Sequence, residues 1–412
     1  MCSNPHRVFS LGLPPRFRAG VSIAAPRRSP YYNTQTLHKA SRGEKTVKVL
    51  ILSCDTGEGH NSAAAAVAGA LTQRGIESHV FDPLVLAGKY AERFVSGAYT
   101  TIMKKAPSAF NALYRAGDIY SSTGSNNWVL FAKIISYFKK HGKTRIAYFG
   151  INPNSQSDLV KAHHLYNMYL PFTSEDLFCI NKSFSECFEG FVEKRNNYDA
   201  IICPNDFIAV ALMKKLLPID SDYVKSHFII GFMDSYISKL YHTPVTSVTY
   251  DIKAVLKAIQ NIYRTLNRDR HSFNSINIQL PNLINVRDST QNAPLAEGHC
   301  LYKNLSNSRP PLVFPDSIDF SYEKDPEMNI ILQIENMFEK INHIDFRIIY
   351  EILSGSTNKT ISEKLFISQQ TLQYHTSHIF SAVNAKTKSD FINIISSYVS
   401  TANLGKFISK LA

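Results

Sequence analysis

Residues 347–399, RIIYEILSGSTNKTISEKLFISQQTLQYHTSHIFSAVNAKTKSDFINIISSYV, decide how the C-terminal part of this chain folds. The run divides into four short helices. The first, over 346–353, puts Ile348, Ile349 and Ile352 on one apolar face and stops at Gly355, which leaves a helix in the left-handed conformation at little cost. Thr360 opens a second helix, with Ile361 and Leu365 facing inward. The connection Phe366-Ile367 leads to Ser368, a hydroxyl placed to cap the third helix, QQTLQYHTSHIFSAV. A fourth helix, over 389–399, packs behind it. In the third helix Leu372, His375, Ile379 and Val383 recur at three- and four-residue spacing and form the inner face. That leaves Ser368, Gln369, Gln370, Thr371, Gln373, Tyr374 and His378 outward. Amides and hydroxyls at the N-terminal end of an exposed helix are suited to hydrogen-bonding base edges and phosphates in a DNA major groove. A small helical domain that binds protein is the alternative from spacing alone.

The segment also resembles the LuxR-type helix-turn-helix. That pattern has a helix ending in Gly-x-Thr-Asn, an Ile-containing helix, and then Ile-Ser-x-x-Thr-Val-x-x-His. Gly355, Thr357, Asn358, Ile361, Leu365, Ile367, Ser368, Thr371, Leu372 and His375 stand in the matching places. The resemblance implies binding of double-stranded DNA. One position departs: the family usually has Lys or Arg two places after the Thr, and this chain has Gln373.

At 412 residues the chain has room for two or three domains, each with its own core. Lys and Arg total 45 against 33 Asp and Glu, a formal net charge of +12, which favours polyanionic partners, either nucleic acid or an anionic membrane surface. From residue 341 onward there are seven basic and four acidic side chains, so the helix-turn-helix is only mildly basic. The six cysteines (Cys2, Cys54, Cys179, Cys187, Cys203, Cys300) form no CxxC pair and no metal spacing. They read as free thiols of a reducing cytoplasm, with no metal or cofactor expected. No apolar run approaches the roughly 18 residues that span a bilayer. Residues 1–45, with Arg, Ser and Pro but no acidic residue before Glu44, read as a disordered basic leader.

Residues 46–125 read as a Rossmann-like half domain. TVKVLILS is a continuous apolar, β-branched strand of the kind buried in a parallel sheet. It enters CDTGEGHNSAAAA and an alanine-rich helix, and a second strand follows at 77–81. A strand, a glycine turn and a helix N-terminus suit anion binding, and His60 could serve as a base or donor; a capped βα turn explains the same residues. Asp55, Thr56, Gly57, Glu58, Gly59, His60, Ser62 and Ala63 resemble the opening loop of the monogalactosyldiacylglycerol synthase family. That resemblance implies a glycolipid-synthase-like loop at Asp55, Thr56, Gly57, Gly59 and His60, with peripheral membrane contact. A sugar transferase of this type also needs a second lobe for its nucleotide sugar, and the residues after 125 do not read as one.

Residues 126–289 read as a sensor-like α/β domain in which strands and helices alternate, with polar residues at the C-terminal ends of the strands. Asn205 and Asp206 follow one strand, and Phe232 and Asp234 follow another. Carboxylates and amides beside an aromatic ring suit a polyhydroxylated ligand, although each alone is also an ordinary helix cap. The segments KHGKTRIAYFG, CPNDFIAVALMKKL, IIGFMDS, TPVTSVTYD and LINVRDS resemble the effector-binding domain of lactose-repressor-type regulators. The resemblance implies a periplasmic-binding-protein-like fold, truncated here by about a hundred residues. It also implies a sugar-like effector near Asn205, Asp206, Phe232, Asp234 and Arg287.

Residues 290–327 are aperiodic and read as a linker, and 328–341 as an amphipathic helix that docks the helix-turn-helix (328–412) or forms a homodimer seam. The expected fold class is therefore α/β, with an all-α C-terminal helix-turn-helix. The expected function is a cytoplasmic transcriptional regulator rather than an enzyme. The alternative is sugar transfer to diacylglycerol, in a chain fused near 121–128.

Overall fold

In the computed structural model residues 49–52, 58–73, 75–81, 127–268, 282–295, 309–310, 312–314 and 320–411 are described. The chain divides into two units, residues 1–105 with 259–270 and residues 106–258 with 271–412.

In the first unit β1 (Val49–Leu52) pairs in parallel with β2 (Ser78–Phe81) across α1 (Glu58–Thr72). This is the expected strand–helix–strand, and α1 puts Ala64, Ala70 and Leu71 in the core. Asp55, Thr56 and Gly57 lie outside the described residues, as does the leader; Gly59 and His60 fall in the first turn of α1.

The second unit holds a six-stranded sheet. Its elements are α2 (Asn127–Lys140), β3 (Ile146–Ile151), α3 (Gln156–Met168), β4 (Leu177–Cys179), α4 (Phe184–Lys194), β5 (Ala200–Ile202), α5 (Asp206–Leu216) and α6 (Ser221–Ser226). They continue with β6 (Phe228–Phe232), α7 (Tyr236–Leu240), β7 (Thr246–Tyr250), the start of α8 (Ile252–Arg268, which from residue 259 belongs to the first unit) and β8 (Asn282–Asn285). The strand order is β4-β3-β5-β6-β7-β8. Neighbours are parallel except β8, which runs antiparallel to β7. Every residue of β3, β5 and β6 is buried, because helices cover both faces, as continuous apolar strands require. The chain leaves β3 to one side for β4 and returns to the other side for β5, so the order reverses at β3. Such a reversal opens a crevice beyond the carboxyl ends of the strands.

One face of the sheet packs on α2 and α3 through Phe131, Ile134, Phe138, Tyr148 and Leu165. The other packs on α4, α5 and α7, and its core does not end there. It runs on into the C-terminal helices α9 (Pro326–Lys340), α10 (His343–Leu353), α11 (Asn358–Leu365), α12 (Gln369–Ala382), α13 (Lys388–Ser396) and α14 (Thr401–Leu411). Val210, Met213 and Ile237 thus share one cluster with Ile331, Ile334, Phe338, Phe346 and Leu372. The amphipathic helix expected at 328–341 is α9, and it docks the helix-turn-helix on the sheet unit. Backbone and side-chain bonds fasten the same joint: Ser400 N–H donates to Leu240 O (2.8 Å), and Asn403 Nδ2 to Tyr241 O (2.7 Å). Tyr398 and Lys214 meet on Glu327 Oε1 at 2.6 and 2.9 Å.

The stretch read as a linker is laid along the sheet unit where it is described. Arg309 stacks 3.7 Å from the Tyr166 ring centroid and donates to Tyr166 O (2.5 Å) and Phe172 O (2.6 Å), carbonyls around the end of α3. Leu312 is buried in the α2/α3 core.

Candidate nucleic-acid interface and effector crevice

Caps set α11 and α12. Thr357 Oγ1 accepts from Thr360 N (3.2 Å), and Ser368 Oγ accepts from Thr371 N (3.0 Å). Between the helices the chain turns at Phe366, left-handed at φ 54° and 97% exposed. Leu372, Ile379 and Val383 are buried as their spacing requires. His375, on the same face, does more than pack. Its Nδ1 lies 2.6 Å from Asp345 Oδ1, and the other Asp345 oxygen accepts from Asn342 N (3.0 Å) at the start of α10. The pair fastens α12 to α10, so the outward face of α12 has one orientation. On that face Ser368, Gln369, Gln370, Thr371, Gln373, Tyr374 and His378 are all exposed. Asp345 was missed as a partner in the sequence; the Asn342-x-x-Asp345 spacing of a reciprocal cap was its signal.

The turns beyond β5, β6 and β8 hold the other candidates. Asn205 caps α5, its Oδ1 accepting from Ile208 N (3.0 Å), and its Nδ2 donates to the Tyr322 hydroxyl (2.8 Å). Asp206 is fully buried. Its carboxylate accepts from Ser247 Oγ (2.6 Å), Ser235 N (2.9 Å) and Ser235 Oγ (2.9 Å), so it fixes the turn after β6 from beneath rather than facing the crevice. Ser247 Oγ in turn accepts from Asp234 N (2.9 Å). Phe232 lies under the Lys161 ammonium, 4.8 Å from its ring centroid. Asp234 is left-handed (φ 57°) and pairs with Arg287 and with Lys239 (3.1 Å). Burial would push its carboxyl up, but the hydrogen bond and charge of Arg287 and the charge of Lys239 outweigh that and hold it below its ordinary range. Arg287 also donates to Val245 O (2.7 Å). Asp234 and Arg287 sit at one open depression with Asn285 and Asn292, while Asn205 lies with Tyr322. Sequence reasoning missed Lys161 and Asp158 on α3. Asp158 is buried and Lys161 half-buried, and Lys161 donates to Pro204 O (2.9 Å). No motif signal marked them.

Residues 346–395 match the family model of bacterial regulatory proteins, luxR family. Helices α10 to α13 thus resemble the LuxR-type helix-turn-helix over those residues. No curated protein matches the chain. Solved structures similar to it include the lac repressor dimer bound to operator and the anti-inducer ONPF, at 14% identity and TM-score 0.39, over 60% of this chain and 95% of that one. The Escherichia coli transcriptional repressor ascG is similar at 14% identity and TM-score 0.42, over 59% and 98%. A complex of the transcriptional regulator CelR with cellobiose is similar at 11% identity and TM-score 0.40, over 59% and 84%.

Helix α12 carries no Lys or Arg. Nearby, Lys364 is held by Glu351 (2.7 Å) and Lys388 by Ser356 O (2.7 Å). The outward face of α12 therefore offers hydrogen bonds more than charge. Gln373→Lys is expected to add one phosphate contact and steepen the fall of log affinity with log salt by about 0.9. A salt titration of DNA binding reads this, and an unchanged slope would place residue 373 away from the phosphates.

Two buried carboxyls fasten this architecture and give it a pH dependence. Burial pushes Asp206 up to about 6, against the lowering effect of its Ser247 and Ser235 hydrogen bonds. Burial likewise pushes Glu335 up to about 7, although its oxygens accept from Ile237 N (2.8 Å) and Tyr236 N (2.7 Å). A carboxyl raised on folding gives stability that is complete below its unfolded range and is lost as pH rises through the folded value. Melting temperature should therefore fall between about pH 4 and about pH 7 from these two groups, and Glu335→Gln should shrink that fall. An identical pH profile for wild type and Glu335→Gln would show that this carboxyl does not titrate in the window.

Proposed function

We propose that this protein is a cytoplasmic transcriptional regulator. Its LuxR-type helix-turn-helix reads double-stranded DNA, and a small sugar-like effector in the sheet crevice alters how the reader sits. The observation that carries the reading is the exposed amide-and-hydroxyl face of α12, from Gln369 to His378, inside the segment that matches the luxR family. Two features support the effector half: the reversal of strand order at β3, with Asn205 on the turn after the neighbouring β5, and the open depression at Asp234 and Arg287, with Asp206 fixing the turn after β6 from beneath. Asn205 and Arg287 carry donors and Asp234 an acceptor, groups with which a polyhydroxylated ligand can pair. The regulator acts as a homodimer, so its operator carries two related half-sites.

The test is selection from random DNA by the full chain, with Gln370→Ala/Gln373→Ala as the control. A defined motif that the control loses is expected; recovery of no motif at low salt would overturn the reading. No observation on the described residues favours the alternative of sugar transfer at a membrane.

A further inference from the structure

One short stretch of chain, 320–340, holds three of the turns beyond the carboxyl ends of the strands. After β5, Asn205 Nδ2 donates to the Tyr322 hydroxyl at 2.8 Å. After β4, Phe184 N–H donates to Asp325 Oδ2 at 3.0 Å, while Asp325 Oδ1 caps α9 by accepting from Glu327 N (3.1 Å) and Met328 N (3.2 Å). After β6, the Tyr236 and Ile237 N–H groups donate to Glu335. Phe320 belongs to the same strap, its carbonyl accepting from Asn154 Nδ2 (3.5 Å) in the turn after β3. The strap thus touches the four strand ends at which an open parallel sheet takes its ligand.

Two details set this apart from a plain structural tie. The Asn205 side chain caps α5 with its oxygen and holds Tyr322 with its nitrogen, so a different hydroxyl can replace the phenol without disturbing the cap. In addition, the Tyr148 hydroxyl on β3 is buried with no hydrogen-bond partner among the described residues, in the neighbourhood of Asp158 and Tyr322. A buried hydroxyl without a partner is unfavourable, and a ligand rich in hydroxyls is suited to relieving it.

We propose that residues 320–325 are an intramolecular occupant of the effector crevice. The Tyr322 phenol stands where a hydroxyl of the ligand docks on Asn205, and ligand entry releases α9 from the crevice turns. The proposal rests on the effector reading above. The release reaches the DNA reader directly, because α9 packs on α12 and Gln333 Oε1 accepts from Asn384 Nδ2 (3.2 Å) just beyond it. A ligand shifts such an equilibrium only through its different affinity for the two states, and competition for one amide supplies that difference.

The test uses the full chain, hydrogen–deuterium exchange over 320–340, and glucose, sucrose and cellobiose as probes. Tyr322→Phe keeps the ring and removes the hydroxyl. Exchange over 320–340 is expected to quicken by about fivefold, the effect of losing one hydrogen bond. Asn205→Ser, which keeps a capping oxygen but is too short to reach Tyr322, should quicken the same amides. A sugar that binds the wild type should do so too, and Tyr322→Phe should bind that sugar about fivefold more tightly. Sugar binding that leaves 320–340 unchanged, or equal affinity for wild type and Tyr322→Phe, overturns the proposal and leaves the effector reading standing. If neither protein binds any of the three sugars, the effector reading itself fails, and the proposal with it.

Discussion

Gly231→Ala is expected to destabilise the sheet unit by about 3–5 kcal/mol, the range in which overpacking against a fixed neighbour joins loss of a buried polar network. A Cβ on residue 231 would lie 2.3 Å from Asp206 Oδ1, 2.9 Å from Asp206 Cα and 3.2 Å from Asp206 N. The last two belong to backbone, so no side-chain rotation relieves the clash. Moving the Asp206 carboxylate instead would break its bonds to Ser247 and Ser235, leaving buried donors without an acceptor. β6 and the N-terminus of α5 can approach this closely only because residue 231 has no side chain. Thermal melting of the variant, or its yield as folded protein, reads the effect. A variant as stable as the wild type would mean that β6 and α5 can separate freely, and the crevice would then lose its rigid floor.

Removing the two outward amides, Gln370→Ala/Gln373→Ala, is expected to lower affinity for the selected DNA motif by roughly a hundredfold, since each amide that reads a base contributes about 1–3 kcal/mol of discrimination. Both side chains are exposed, so the change leaves the core of the helix-turn-helix intact and melting should not move. Affinity for unrelated DNA should also stay the same, because neither residue carries charge. The comparison that matters is therefore the ratio of specific to non-specific binding. A loss of equal size on both kinds of DNA would make these residues phosphate contacts, and sequence reading would have to come from elsewhere on α12.

The helix-turn-helix was legible because its signals are local. Ile348, Leu372 and Ile379 repeat at helical spacing, Ser368 caps, and Gly355 terminates at φ 81°. Its first helix begins at His343, three residues before the expected start, because Asn342 and Asp345 cap each other reciprocally. The last helix, α14, escaped the reading. Gly405 in its middle breaks the pattern, yet that glycine lets the helix settle against the Tyr350 ring, where a Cβ would meet Cε2 at 3.0 Å. The sheet strands were legible as apolar runs, and Asn205 as a strand-end amide. What could not be read was pairing at a distance. Nothing near Tyr322 in sequence points to Asn205, and nothing near Glu335 points to the N–H groups of residues 236 and 237. An aperiodic segment has no period to betray where it lies; among its described residues Arg309, Tyr322 and Asp325 are tied by side-chain hydrogen bonds and Leu312 by burial.

The continuous core from Val210 through Ile331 and Phe338 to Leu372 means that the reader is not a cassette. Cutting the chain at the start of α9 would lay bare a stripe of Met328, Ile331, Ile334 and Phe338 on one piece and the matching faces of α5 and α7 on the other, and bare stripes of that kind aggregate. A transplant of this helix-turn-helix onto another sheet unit, or of another helix-turn-helix onto this one, must therefore carry its own seam: a helix whose apolar face fits α5 and α7, and an acid at the position of Glu335 to meet two backbone N–H groups.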